Sequence, residues 1–128
     1  MTTTPPEPIP LPEAGPATVG GVKSRASITD STDDADLEVL VAAVNALVRR
    51  WPGPRSLVYL DEADPPVSQW PADVVLGANM LGARLWRRRN TVGGVEVYGD
   101  NGIAYVRRND PDIAMLLQLD DWSKGQVG

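Results

Sequence analysis

The 128-residue sequence contains no cysteine and no histidine, and both absences limit its chemistry. Without cysteine no disulfide framework forms, and without either residue no thiolate or imidazole is present to bind a metal ion. Without histidine, Ser56, Ser68 and Ser123 lack the partner of a hydrolase triad. We therefore expect a protein that is not an enzyme and that binds no metal through thiolate or imidazole groups.

Long hydrophobic runs and net positive charge are also missing. No apolar stretch approaches the roughly 20 residues that cross a bilayer, and the N-terminal sequence has neither the basic start nor the apolar middle of a signal peptide. The formal net charge is −5, whereas proteins that wrap DNA phosphates are typically basic. We expect a soluble protein with no membrane partner.

Proline is concentrated at the N-terminus, where the first sixteen residues contain Pro5, Pro6, Pro8, Pro10, Pro12 and Pro16. Such a composition favours extended chain, and it predicts a Pro/Gly-rich arm over residues 1–30. The arm is either a solubilising tail or a segment that orders on docking. A helical domain over 31–122 and a polar C-terminal tail over 123–128 complete the predicted organisation.

Two long helices are predicted from apolar residues at helical spacing. The first begins after "DSTDD" and ends at Pro52; its core stripe leaves Val39 and Ala46 on a second face. The second begins at Pro71, and its core stripe leaves Leu76, Met80 and Ala83 on the opposite side. Helices that are apolar on two sides need a second burial partner, and the simplest is another copy of the chain.

A β-hairpin and a short last helix are predicted after the second helix. The strands are Val95–Tyr98 and Ile103–Val106, joined by the positive-φ turn chemistry of Gly99, Asp100, Asn101 and Gly102. Asp110 caps the last helix and Pro111 opens it. The predicted fold is mainly α: a small bundle of about three helices, one β-hairpin and an extended Pro-rich N-terminal arm.

Two charged stretches invite functional interpretations. The acids Asp61, Glu62 and Asp64 lack the spacing of a cation-binding loop, which favours a solvated acidic loop. Arg87, Arg88 and Arg89 follow one another, so their side chains point about 100° apart and form no single basic face. Cations at a helix C-terminus are stabilised there, and this interpretation is favoured over a DNA-reading helix.

The order of elements resembles the head–tail connector (head-completion, or adaptor) proteins of long-tailed double-stranded DNA bacteriophages. The similar segments are "WPADVVLGANMLGARLWRRRNTVGGV", "VYGDNGIAYVRR" and "NDPDIAMLLQL", and the resemblance covers about residues 32–119. It implies a ring, usually of twelve subunits, beneath the portal protein, with no enzymatic activity and no cofactor. Such a ring extends the DNA channel and joins capsid to tail. The implied partners are the portal, a stopper or tail-completion protein, and passing DNA without sequence specificity.

The resemblance and the two-sided helices together give hypotheses for individual residues. The predicted subunit interface comprises Val39, Ala46, Leu76, Met80, Ala83, Arg84, Arg87 and Arg88, with the arginines pairing with acids of a neighbour such as Asp61, Glu62 or Asp64. The predicted contact with the channel or next ring is the turn Gly99, Asp100, Asn101 and Gly102. The predicted contacts with portal or neck proteins are Pro8, Pro10, Pro12, Trp122 and Lys124.

The predicted location is the virion, at the head–tail junction, with the host cytoplasm as the site of assembly. One alternative is a small DNA-binding regulator that uses "ARLWRRRN" as its reading helix. Another is a stopper or tail-terminator ring protein, which differs from an adaptor in its position along the neck.

Overall fold

The computed structural model describes residues 9–88, 103, 106, 108 and 110–119. Within these ranges the chain is mainly helical with one two-stranded antiparallel hairpin, which confirms the predicted fold class. The elements in chain order are α1 (Val19–Ala26), α2 (Asp34–Arg50), α3 (Pro52–Ser56), β1 (Tyr59–Leu60), β2 (Ser68–Gln69), α4 (Ala72–Arg87) and α5 (Pro111–Leu116).

The predicted apolar stripe of α2 is buried. Its core residues are Leu37, Leu40, Val41, Val44, Leu47 and Val48. The helix begins after Asp33, carries Asp34 and Asp36 in its first turn, and carries Arg49 and Arg50 in its last turn. Both charge signs complement the helix dipole.

Helix α4 is the central element, because α1, α2 and α5 all pack against it. Val74, Ala78, Leu81 and Leu85 are buried along it, as the helical spacing predicts. Gly82 gives α1 a close approach: a Cβ on this residue would come within 2.6 Å of Val22 Cγ2. None of the helices in the described ranges is long and apolar enough to span a bilayer.

The N-terminal segment differs from the predicted extended arm. Residues 19–26 form α1, which begins where the Thr18 hydroxyl accepts a hydrogen bond from Gly21 N at 2.9 Å. A residue that accepts from the N–H three positions later is a typical helix cap. Burial of Val22 between the helices then stabilises α1 against α4. The last proline of this segment is Pro16, so no proline lies within α1 to interrupt its hydrogen bonds.

Residues 9–18 have no regular secondary structure and run across the bundle, held mainly by side chains. Asn45 accepts a hydrogen bond from Ala17 N at 2.8 Å and donates one to Ala17 O at 3.0 Å. Arg49 donates to Pro12 O at 2.6 Å, and the Trp70 indole donates to Ala14 O at 3.0 Å. Proline lacks a backbone N–H, so a proline-rich segment forms few hydrogen bonds between backbone groups. Its carbonyls accept hydrogen bonds from these side chains instead.

The hairpin lies earlier in the chain than predicted. Tyr59 pairs with Gln69, and Leu60 with Ser68. The second predicted strand is wrong where the structure describes it, because Ile103 and Val106 are helical. Val106 is fully buried and its carbonyl accepts a hydrogen bond from Asp110 N at 2.8 Å. The first predicted strand and the turn Gly99 to Gly102 lie outside the described residues.

Adjacent glycines in α1 provide a matched test of its packing. A Cβ on Gly21 would collide with the side-chain amide of Asn79, whereas a Cβ on Gly20 would meet no atom within 4 Å. We expect Gly21→Ala to lower the free energy of unfolding by about 1–3 kcal/mol through overpacking. We expect Gly20→Ala to raise it by up to about 1 kcal/mol through helix propensity. Urea denaturation measures both, and equal effects would contradict the close α1–α4 contact.

Candidate functional site

The C-terminal end of α4 carries a cluster of arginines. Arg84 and Arg87 lie in the last turn and Arg88 is the C-cap. The carbonyls in the last turn of a helix have no partners within the helix, and their negative end favours cations such as arginine. The C-terminal end of α4 therefore carries three arginines within five residues.

Two of these arginines converge on one buried carboxylate. The side chain of Asp110 is fully buried; its Oδ1 lies 2.6 Å from Arg84 NH1, and its Oδ2 lies 3.2 Å from Arg88 NH1. Arg88 NH2 also donates to Oδ1 at 3.3 Å. Arg84 reaches a second carboxylate, Asp112, at 3.4 Å. The side chains of Arg84 and Arg88 are 32% and 29% exposed.

This ion-pair cluster fixes α5 to the end of α4. Asp110 is the N-cap residue of α5: its side chain makes no capping hydrogen bond, and its backbone carbonyl accepts a hydrogen bond from Ala114 N at 2.9 Å. A buried carboxylate is costly unless charged donors surround it. The pairing therefore orients Arg84 and Arg88 as it positions the start of α5.

A cleft of about 190 Å³ lies beside the cluster, between α1 and α4. Its walls are the arginines Arg25, Arg84 and Arg87, with Met80 and Ala83 as the apolar part of its lining. Arg87 NH2 donates to the carbonyl of Arg25 at 3.1 Å, which joins the C-terminal ends of the two helices. Guanidinium groups around an apolar surface form a site suited to carboxylates or phosphates.

The loop between β1 and β2 concentrates the opposite charge. Asp61 organises it by accepting from Ala63 N at 3.0 Å, from Val67 N at 2.9 Å and from Gln69 Nε2 at 3.1 Å. The Val67 and Ala63 amides, followed by the Gln69 side chain, hold the pKa of the Asp61 carboxyl below its ordinary value. Glu62 and Asp64 are exposed on the same loop. We refer to residues 61–64 as the acidic tip.

The predicted interface residues divide into exposed and buried groups. Val39 is 72% exposed and Leu76 is 39% exposed, and Ala46 also lies at the surface. Met80 is partly buried against the core. Ala83 is only 2% exposed, because α1 covers that part of α4, so it offers almost no surface to another subunit.

The structure gives Arg84 and Arg88 partners within their own chain, Asp110 and Asp112, where pairing with acids of a neighbour was predicted. Pro10 is exposed, and Pro12 is half-buried. The other predicted contact residues, Pro8, Gly99, Asp100, Asn101, Gly102, Trp122 and Lys124, lie outside the described residues.

Sequence reasoning missed two members of the site, Asp110 and Arg25. For Asp110 the sequence predicts only a capping role, because the following proline indicates a helix start and nothing local links Asp110 to Arg84, 26 positions earlier. Arg25 belongs to a segment that was predicted to be extended. Helical spacing of Val22 and Arg25 after the capping Thr18 is the signal that could have revealed it.

Comparison with protein-family models, with curated proteins and with solved structures finds no match for this chain. Across the part of the chain that the structure describes, no three aspartate or glutamate side chains come together as ligands of a metal ion.

Removing the two arginines and removing the buried carboxylate should cost different amounts of stability. Replacing both Arg84 and Arg88 by alanine leaves Asp110 charged and unpaired in the interior, and we expect a loss of about 3–5 kcal/mol in the free energy of unfolding. Asp110→Ala leaves two arginines that reach water, and we expect a smaller loss of about 1–3 kcal/mol. Chemical denaturation measures both. Arg87→Ala, which does not contact Asp110, is the control, and a larger loss for Asp110→Ala would contradict the cluster's role.

The acidic tip predicts a dependence on pH. Because folding lowers the pKa of Asp61 from its ordinary 3.8, the ionised carboxylate stabilises the hairpin above pH 3.8. This contribution is lost as the pH falls through the lowered pKa. We expect wild type to melt higher than Asp61→Asn at neutral pH and the difference to shrink in strong acid. Gln69→Ala should lower the melting temperature less than Asp61→Asn, with the same dependence on pH. A difference between wild type and Asp61→Asn that stays constant from neutral to strongly acidic pH would refute the stabilising role of the ionised Asp61.

Proposed function

We propose that this chain is a structural ring subunit at the head–tail junction of a long-tailed double-stranded DNA bacteriophage, where the ring lies below the portal, extends the DNA channel and joins capsid to tail. The resemblance of the sequence segments supplies the identity of the assembly, although one of its predicted elements, the strand over Ile103 and Val106, is helical where the structure describes it. The observation that carries the proposal is the exposure of large apolar side chains on several separate elements.

These exposed apolar residues are distributed over the molecule. Val39 lies on α2, Leu76 on α4 and Met115 on α5, and each is more than a third exposed. On the hairpin, Tyr59, Leu60 and Val67 are about half exposed. A ring subunit contacts two neighbours through two different surfaces, and a neck protein also contacts the rings above and below it. Several separate apolar surfaces suit such a subunit.

The charge distribution supports the same proposal. A net charge of −5 favours a channel wall along which DNA moves without being held. At the C-terminal end of α4, Asp110 and Asp112 already pair with part of the positive charge of the arginines. This pairing gives less support to a DNA-reading helix, whose cations need to face phosphates and bases.

Within phage neck proteins, the helical content favours the adaptor over the stopper or tail terminator, which we expect to be richer in β-structure. The N-terminal segment supports a contact beyond the ring. Ile9 and Pro10 are exposed, so this part of the segment is accessible to a partner. We assign contacts with the portal or the neck to Pro8, Pro10, Pro12, Trp122 and Lys124.

Substitutions at the exposed apolar residues test the proposal. We expect the wild-type chain, mixed with its cognate portal protein, to give a complex whose native mass corresponds to a ring on the portal. Val39→Asp together with Leu76→Asp should lower the yield of that complex at least about tenfold, because a charge buried at an interface is strongly unfavourable. Thr29→Asp, exposed between α1 and α2, is the control.

A wild-type chain that remains monomeric at every concentration, with and without portal, would count against the ring. Duplex DNA binding that weakens steeply with salt would support the regulator instead, because several phosphate contacts release several counterions. Circular dichroism of each variant establishes that the fold survives the substitutions.

A further inference from the structure

The cleft between α1 and α4 retains the capacity to bind an acidic group. Arg84 donates hydrogen bonds to Asp110 and Asp112, and Arg87 donates one to the Arg25 carbonyl. A guanidinium carries five N–H groups, so most of those on Arg84 and Arg87 remain for another acceptor. Among the described residues, the lining of the cleft contains Arg25, Arg84 and Arg87 and no acidic side chain. The cleft is thus cationic in an acidic protein.

The acidic tip has the matching chemistry. Glu62 and Asp64 are exposed on a loop whose backbone is already ordered by the carboxylate of Asp61. An ordered loop loses little conformational entropy when it binds. Exposed Tyr59 and Val67 flank the tip, and the lining of the cleft includes the apolar side chain of Met80. The acidic tip and the cleft therefore carry opposite charges, and each also presents apolar surface.

The two surfaces lie on different elements: the tip on the hairpin that precedes α4, and the cleft at the C-terminal end of α4. The hairpin ends at Gln69, just before α4 begins at Ala72, whereas Arg84 and Arg87 lie in the last turn. A 16-residue helix is about 24 Å long. No hairpin residue lines the cleft of its own chain. A tip on one element and a cleft on another favour contact between successive copies, since each copy then offers one of each.

We propose that the acidic tip of one copy inserts into the arginine cleft of the next, with Glu62 and Asp64 meeting Arg25 and Arg87. This inference rests on the proposed ring and assigns its subunit contact. The contact is heterologous, so every copy uses both of its surfaces, and repetition closes a ring where the rotation between copies permits. Arg84 and Arg88, oriented by Asp110, support the cleft.

The absence of cysteine from the chain makes disulfide cross-linking a clean test. Ala63→Cys places a thiol within the tip and Met80→Cys places one in the cleft, and neither removes a charge. A chain carrying both should give a ladder of covalent oligomers on mild oxidation. Either single variant should stop at dimers. Met80→Cys combined with Ala42→Cys, exposed on α2, is the matched control, and Ser24→Cys beside Arg25 replaces Met80→Cys should the latter unfold.

Charge reversal identifies the interaction. Glu62→Lys with Asp64→Lys, added to the cross-linking chain, should lower the ladder yield roughly tenfold, because like charges then meet in the cleft. Arg25→Glu with Arg87→Glu in the same chain should restore it. High salt should weaken the wild-type contact. A yield that is unaffected by reversal, or equal to that of the Ala42 control, overturns the proposal.

The outcomes separate this contact from the proposed function. A ring on the portal, seen by native mass spectrometry without the Ala63–Met80 ladder, overturns the contact and leaves the ring standing. A ladder in a chain that never binds the portal supports the contact and counts against the neck assignment. Protection of Met80→Cys from alkylation by duplex DNA, but not by the chain itself, overturns the contact and assigns the cleft to phosphate groups.

Discussion

The close contact between α1 and α4 is the constraint on which the candidate site depends. Asn79 is buried in this contact; its side chain accepts from Thr18 N at 3.1 Å and donates to Val75 O at 2.9 Å. Gly21 and Gly82 bring the two backbones together where any larger side chain would collide. The contact places Arg25, at the end of α1, beside the last turn of α4, so the cleft exists only while α1 remains packed.

Polar side chains connect parts of the chain that are distant in sequence. Asn45 and Asn79 hold the N-terminal segment, across 28 and 61 positions, and Asp110 is held by Arg84 across 26. In the described residues every buried side-chain nitrogen or oxygen has a hydrogen-bond partner. Unsatisfied buried groups are costly, so each of these residues specifies one arrangement of its neighbours. A small domain with a limited apolar core gains a defined structure in this way.

The sequence was sufficient to predict α2, α4 and the start of α5, because their signals are local: helical periodicity, terminal charges and prolines. The hairpin was misplaced because Gly99 and Gly102 resemble a turn, and Ile103 and Val106 fit either a strand or a helix. The actual turn is organised by the side chain of Asp61, which carries no glycine signal. The cleft could not be predicted, since Arg25, Arg84 and Asp110 meet only through tertiary packing.

The acidic tip and the arginine end of α4 give each copy a direction. Hydrogen bonds within the hairpin keep the acidic tip ordered on the hairpin that precedes α4, and the buried Asp110 keeps Arg84 and Arg88 oriented at the end of α4. Two copies placed with like ends together bring like charges together, whereas head-to-tail placement pairs them. Complementary charge contributes mainly to the choice and orientation of partners, and apolar burial contributes most of the affinity. In the proposed ring, the charged ends would therefore set the order of subunits, while Val39, Leu76 and the hairpin side chains would hold them together.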